Sequence, residues 1–314
     1  MQAWAERLEE PGAALGVSFS VGGVSVEVIG DLTSDAALSP SLKPFRIEAG
    51  VSDVDISVEW ADSLPLTCGR ELFDSGTTWR LYESGAGFQF DFNDTMFGGR
   101  PYKRLWVDSC FRQATLQMSQ QFFAGFPLAP APLCYPLDEL LIMHRLTQER
   151  AIELHGVGVV GPDGASNLFV GHSGAGKSTT ARLWTSLHKV EILSDDRIIV
   201  REHPATEDSE RSDATQIYMY GTPWHGEAHF ALAQRAPLQR IFVLEHGHGN
   251  ILTRLTRSQM VAELFARAFV PFHRHEYVDH ALAFLERVAD SVPCYHYCFE
   301  PDERAVEKIL QFND

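Results

Sequence analysis

The chain has 314 residues and a formal net charge of −16 at pH 7, with 26 Lys and Arg against 42 Asp and Glu. That length holds one large or two ordinary domains with substantial cores, and the acidic balance argues against nucleic acid, whose binding draws its affinity from clustered Lys and Arg. The start, Met1-Gln2-Ala3-Trp4-Ala5-Glu6-Arg7, lacks the apolar core of a signal peptide, and no run approaches the roughly 18 apolar residues of a membrane span, so a soluble, cytoplasmic protein without a membrane partner is expected. Five scattered cysteines suit a reducing compartment better than a disulfide framework.

The first third reads as antiparallel β-structure. Phe19 and Val21, then Val24, Val26 and Val28, alternate on either side of Gly22-Gly23, a hairpin signal. Val54, Ile56, Val58 and Trp60 alternate again, as do Phe88, Phe90 and Phe92. Pro127, Pro130, Pro132 and Pro136 then interrupt regular structure, which divides the chain into a β-rich domain over 1–136 and a second domain over 137–314. No internal repeat or low-complexity tract is present.

Beyond that boundary the pattern becomes α/β. Leu137, Leu140, Leu141 and His144 fall at helical spacing, and the helix is expected to run to about Arg150. Strands are expected over 151–155, 156–161 and 166–170, then 190–193, 197–201, 216–220 and 238–245. The polar, acidic stretch 203–215 reads as a surface excursion between two strands. Helices over 258–270 and 276–289, a strand over 294–299 and a last helix from Pro301 close the chain. Cys294 and Cys298, in an alternating run, read as core-facing residues.

Between the expected strand ending at Val170 and the helix from Ser178 lies Gly171-His172-Ser173-Gly174-Ala175-Gly176-Lys177-Ser178-Thr179, a complete G-x-x-x-x-G-K-[ST] loop. Such a strand-loop-helix puts successive backbone N–H groups and the positive end of a helix dipole around a phosphate. Lys177 would reach the β- and γ-phosphates of ATP, and the Ser178 hydroxyl would ligate Mg²⁺. At ordinary residue usage the four fixed positions match by chance in only about one chain in a hundred of this length, so nucleotide binding outweighs a mere glycine-rich turn.

Three further segments carry candidate chemistry. Asp195-Asp196 directly follows an apolar strand, where an acidic residue commonly faces the nucleotide, although paired aspartates are also ordinary turn residues. His155-Gly156 ends a strand of the same sheet; a lone histidine is usually structural. Gly221-Thr222-Pro223-Trp224-His225-Gly226-Glu227 is a stiff turn at a strand end, where open α/β sheets bind ligands. His246, His248, His273, His275 and His280 show no zinc-ligand spacing, so no structural metal is assigned.

In order, a Leu-rich helix, His155-Gly156-Val157, a short hairpin, Gly171 to Thr180 and Asp195-Asp196-Arg197 resemble the C-terminal domain of HPr kinase/phosphorylase and its phosphoenolpyruvate carboxykinase-like relatives, over roughly residues 137–227. The resemblance implies a fold, an α/β phosphate-loop core of that type beside the β-rich N-terminal domain. It also implies roles: His155, Asp195 and Asp196 beside the γ-phosphate, Asp195 accepting the proton of an attacking hydroxyl, and Asp196 contacting His155 or the metal. The family signature Glu-Ile-Arg-Gly-Leu-Gly has no counterpart, which leaves Glu227 as a candidate metal ligand and Arg235 or Arg240 as candidate catalytic arginines. The N-terminal segment does not match the sensor domain of true HPr kinases, so a protein or peptide other than HPr is the implied partner. True HPr kinases are hexamers, which leaves a homo-oligomer open here.

These readings converge on an ATP-dependent kinase that moves the γ-phosphoryl group to a hydroxyl, a serine in a protein or peptide being the favoured acceptor. Two alternatives remain open: a nucleotide-binding regulatory module without transfer activity, and a carboxykinase acting on oxaloacetate, for which the chain is short.

Overall fold

A computed structural model describes residues 15–30, 38–67, 69–124, 131–187, 189–204 and 215–312. The protein is mixed α/β with two large sheets and few helices. It divides into two compact units, one comprising Met1–Ser20 and Val24–Asp138, the other Val21–Gly23 and Glu139–Asp314. Among the described residues no helix is long and apolar enough to cross a membrane.

The first unit carries nine strands: β1 (Leu15–Val21), β2 (Val24–Gly30), β3 (Arg46–Ile47), β4 (Val54–Ala61), β5 (Arg70–Asp74), β6 (Trp79–Ser84), β7 (Gly87–Asn93), β8 (Pro101–Asp108) and β9 (Gln113–Ser119). They form one sheet in the order β3-β1-β2-β4-β9-β8-β7-β6-β5. The apolar alternation does produce strands at 19–28, 54–60 and 88–92. The sheet is mixed, however, because β2 pairs with β4 and β4 with β9 in parallel. Alternation reports which face of a strand is buried and is silent about the direction of its neighbour. Of the prolines read as a boundary, Pro127 and Pro130 lie outside the described residues.

The second unit carries β10 (Ala151–Val160), β11 (Ser166–Val170), β12 (Glu191–Ile192), β13 (Arg197–Pro204), β14 (Thr215–Tyr220), β15 (Arg235–Pro237), β16 (Arg240–His246), β17 (Ile251–Arg254), β18 (Ala268–Phe269) and β19 (Cys294–Phe299). The two strands expected over 151–161 are one continuous β10, since Gly156 and Gly158 lie flat in the ladder where a Cβ would meet Leu168, Phe169 or Ile198 within about 3 Å. The helix expected over 258–270 ends at Phe265, because 268–269 leaves it to pair with β10. The expected excursion 203–215 falls largely outside the described residues.

The main path runs β15-β14-β13-β10-β11-β16-β19-β17, with β11, β16 and β19 mutually parallel. Period-two alternation sorts these strands onto two cores. Leu154, Ile198, Val200, Met219 and Val243 face the helices Arg257–Phe265 and His275–Ser291. Val157, Val159, Phe169, Phe242 and Tyr297 face the helices Lys177–Leu187 and Glu303–Leu310, with Trp184 buried among them. The sheet is therefore covered on both faces, and the carboxyl ends of the parallel strands open where β11 passes into the helix from Lys177. Cys294 lies in the core, where burial pushes its thiol up to about 12.

Candidate functional site

β11 is buried along its whole length, and the chain leaves it at Gly171 to form the glycine-rich loop. Ala175 N–H donates to His172 O at 3.0 Å, and Thr180 N–H to Gly176 O at 2.8 Å, so the loop closes a turn and passes directly into the helix Lys177–Leu187. Gly174 and Gly176 have φ of +80° and +99°, and a Cβ on Gly176 would lie 2.5 Å from the Phe299 ring. Glycine is required there twice over, for the backbone and for the approach of β19. His246, at the end of β16, stacks on Phe299 and donates from Nε2 to Gly174 O at 3.0 Å, which fixes the outer rim of the loop. His172, Ser173 and Gly174 are exposed, while Ser178 and Thr179 are half-buried at the first turn of the helix, where unpaired N–H groups and the dipole favour an anion.

Lys177 is folded onto this loop. Its Nζ donates to Gly171 O at 3.0 Å and His172 O at 2.9 Å. Burial pushes the amine down to about 8; the nearby Asp196 carboxylate opposes the fall, while Arg197 and Arg267 add to it.

His155 and Asp196 meet beside the loop. His155 Nε2 donates to Asp196 Oδ1 at 3.0 Å, and the backbone ties the same residues together: Gly156 N–H donates to Asp196 O at 3.0 Å and Gly171 N–H to His155 O at 3.4 Å. The other Asp196 oxygen accepts from Arg197. Burial works to raise the Asp196 carboxyl, but the His155 hydrogen bond and the charges of Arg197, His155 and Lys177 together hold it below the usual carboxylate range. It is ionised at neutral pH and half-buried.

Asp195 has different surroundings. It is 1% exposed, and its carboxylate accepts three backbone N–H bonds: Gly226 at 3.0 Å, Ala228 at 2.8 Å and Phe230 at 3.1 Å. Leu232 N–H donates to Leu193 O at 2.8 Å, and the Thr222 hydroxyl donates to Arg197 O at 2.8 Å. Asp195 thus holds the Gly221–Phe230 turn against the end of the sheet. The resemblance implied a proton-acceptor role for Asp195; in the structure three of about four acceptor sites on its buried carboxyl are already used by the turn. Glu227 is exposed on the same turn, next to Gly226, whose Cα lies so close to Asp195 and Asp196 that a Cβ would sit 3.0 Å from one and 3.3 Å from the other.

Neither candidate arginine reaches the loop. Arg240 pairs with Asn167 at the opposite end of β11 from Gly171, roughly 13 Å along the strand, and donates to Asn167 Oδ1 and Phe312 O. Arg235 sits on β15, four strands from β11, bonded to the Tyr220 hydroxyl. The arginines whose charges act on Lys177 are Arg197 and Arg267. Arg197 donates to Glu139 at 2.8 Å, lies 3.3 Å from Glu153 and covers the Phe269 ring at 4.0 Å. Glu153 is 1% exposed, and burial with the adjacent Glu139 raises its carboxyl well above the usual range. Arg267 O accepts from His155 N–H at 2.8 Å. The sequence signal for this cluster was Glu153 itself, a lone charge inside the apolar run 151–160.

Among the described residues no group of three or more His, Cys, Asp or Glu is arranged to hold a metal ion. Mg²⁺ does not require one, since it is commonly bound by one or two carboxylates together with substrate phosphates; a hydroxyl at Ser178 and carboxylates at Asp196 and Glu227 are hard oxygen donors of that kind. No protein-family model matches the chain, and no curated protein matches it at a significant level.

Proposed function

We propose that the chain is an ATP-dependent kinase with an HPr kinase-like phosphate-loop core, transferring the γ-phosphoryl group to a hydroxyl, a serine of a protein or peptide being the acceptor class. The observation that carries this reading is the meeting of the Gly171–Thr179 loop and Lys177 with ionised Asp196 and its partner His155, joined through Gly171 N–H and Gly156 N–H. Phosphoryl transfer asks mainly for positioning and charge neutralisation, with one group to take the hydroxyl proton. The loop N–H groups and Lys177 bind the phosphates, Asp196 takes the proton, and His155 orients Asp196. Ser178 and Glu227 would hold Mg²⁺ together with the nucleotide's own oxygens, and the ion would supply charge neutralisation at the phosphates.

Incubation of the purified protein with γ-labelled ATP and hydroxyl-bearing peptides tests this directly. Label on serine supports the kinase. Nucleotide binding without turnover would make the protein a regulatory module, and oxaloacetate-dependent formation of phosphoenolpyruvate would make it a carboxykinase.

Lys177→Met keeps the buried stem and removes the ammonium, so it should weaken ATP binding roughly 10- to 100-fold, the worth of a charge-assisted hydrogen bond, while the melting temperature stays near that of the parent. Calorimetric titration against a thermal melt checks both. The depressed Lys177 amine also sets a pH dependence. Its charged form prevails below about 8, so ATP affinity should hold from pH 6 to 7.5 and then fall by up to about tenfold per unit above the pKa. Phosphate binding stabilises the charged form and moves the fall upward. A flat affinity profile to pH 10, or the same profile in Lys177→Met, would count against the assignment.

A further inference from the structure

Lys103, on β8, is 2% exposed, and among the described residues no carboxylate hydrogen-bonds to it. Among the described residues its Nζ donates to Pro132 O at 3.4 Å and to the Cys134 sulfur at 3.5 Å, and it lies 4.8 Å above the Phe92 ring. The carbonyl contact is long, whereas 3.5 Å is an ordinary distance to the larger sulfur atom, so the amine is directed at the sulfur without being held by a strong oxygen acceptor. Cys134 is a free cysteine of intermediate exposure, followed by the 62% exposed Tyr135, whereas the Lys103 side chain that reaches it is buried.

We infer that Lys103 and Cys134 form a redox-modification site, at which a peroxide-class oxidant converts the pair into a covalent sulfenamide cross-link. In the first step the Cys134 thiolate attacks one peroxide oxygen; the S–O bond forms, the O–O bond breaks, and sulfenic acid and water result. The sulfur loses two electrons and the peroxide gains them. In the second step the uncharged Lys103 amine attacks the sulfenyl sulfur; the N–S bond forms, the S–O bond breaks, and the departing hydroxide leaves with the amine proton as water. One thiol, one amine and one hydrogen peroxide thus give one sulfenamide and two waters. The second step needs a neutral amine, and burial acts in that direction, lowering the Lys103 pKa against the opposing charges of Cys134 and Asp138. The bond would tie β8 to the segment that immediately precedes the helix Leu137–Leu146, and a thiol reductant would open it.

The test uses the full chain as it is. Treatment with hydrogen peroxide, proteolysis without reductant and mass spectrometry should reveal the Lys103 peptide joined to the Cys134 peptide at the sum of their masses less two hydrogens, with loss of the joined species after dithiothreitol. The exposed Cys110 in the same digest is the internal comparison and should give sulfenic or sulfinic products without a lysine bridge. Cys134→Ser should abolish the joined species, and Lys103→Met should leave Cys134 reactive toward a sulfenic-acid trap. Cys134 trapped as sulfenic or sulfinic acid in the parent protein, with Lys103 still cleaved by trypsin, would overturn the proposal. So would a Cys134 that peroxide leaves untouched while Cys110 oxidises.

Discussion

Asp195→Ala should destabilise the protein by about 3–5 kcal/mol, the largest single effect expected at this site, because it strips acceptors from three buried N–H groups at once. Each orphaned donor costs roughly 1–3 kcal/mol, and the bonds lost all run to this one carboxyl group, at 2.8, 3.0 and 3.1 Å. Relaxation of the Gly226–Phe230 turn into water recovers part of that sum. Asp195→Asn should lose about half as much, since its carbonyl oxygen still accepts while its NH₂ opposes a backbone donor. Urea unfolding of the two variants gives the comparison. A stability of Asp195→Ala equal to the parent's would mean that the turn is held by something other than this carboxylate. Transfer activity is expected to fall in both variants in proportion to the loosening of the turn, because Gly226 lies against Asp196.

The glycine-rich loop between β11 and its helix was legible in the sequence because its parts are consecutive: a buried strand, two glycines at positive φ and a lysine opening a helix. His155 and Asp196 were legible only through a resemblance, since 41 residues separate them and the hydrogen bond between them depends on the β10–β13 register, His155 opposite Arg197. The holding role of Asp195 had no signature. Its partners are backbone N–H groups of Gly226, Ala228 and Phe230, and an N–H is present on every residue but proline. Two adjacent aspartates look alike in sequence, yet in the bend just before β13 one carboxyl takes the backbone N–H groups of the turn and the other takes His155 and Arg197. The parallel pairing of β2, β4 and β9 was hidden for a related reason: alternation encodes a buried face, and the direction of the partner strand is fixed by connections many residues away.

The buried cluster around Arg197 sets how firmly Asp196 is held. Arg197 is flanked by Glu139, Glu153 and Asp196 and covers the Phe269 ring, so its guanidinium cannot swing away without leaving carboxylates buried and uncompensated. One face of Asp196 is thereby fixed by a cation and the other by His155.

Asp196→Asn therefore separates chemistry from architecture. The substitution keeps the volume and leaves an amide able to bond His155 and Arg197 in part, so the unfolding free energy should change by no more than about 1–2 kcal/mol. The negative charge and the basic oxygen disappear, and phosphoryl transfer should fall by roughly 10² to 10⁴, the scale of a general acid-base group. ATP·Mg²⁺ affinity should survive, because Lys177 and the loop N–H groups are untouched. The wild-type carboxyl lies below the ordinary carboxylate range, so it stays ionised through neutral pH, and the transfer rate of the parent should be lost only at acid pH, as the folded protein protonates Asp196. His155→Gln should reduce transfer less than Asp196→Asn, since it removes an orienting partner, and should shift the acid limb toward higher pH by removing a bond that favours the ionised form. Single-turnover assays across pH, with calorimetry on the same preparations, decide among the outcomes. Full transfer by Asp196→Asn would rule out Asp196 as the base, whereas lost ATP·Mg²⁺ binding with normal stability would make this carboxylate a metal ligand and leave the hydroxyl proton to another acceptor.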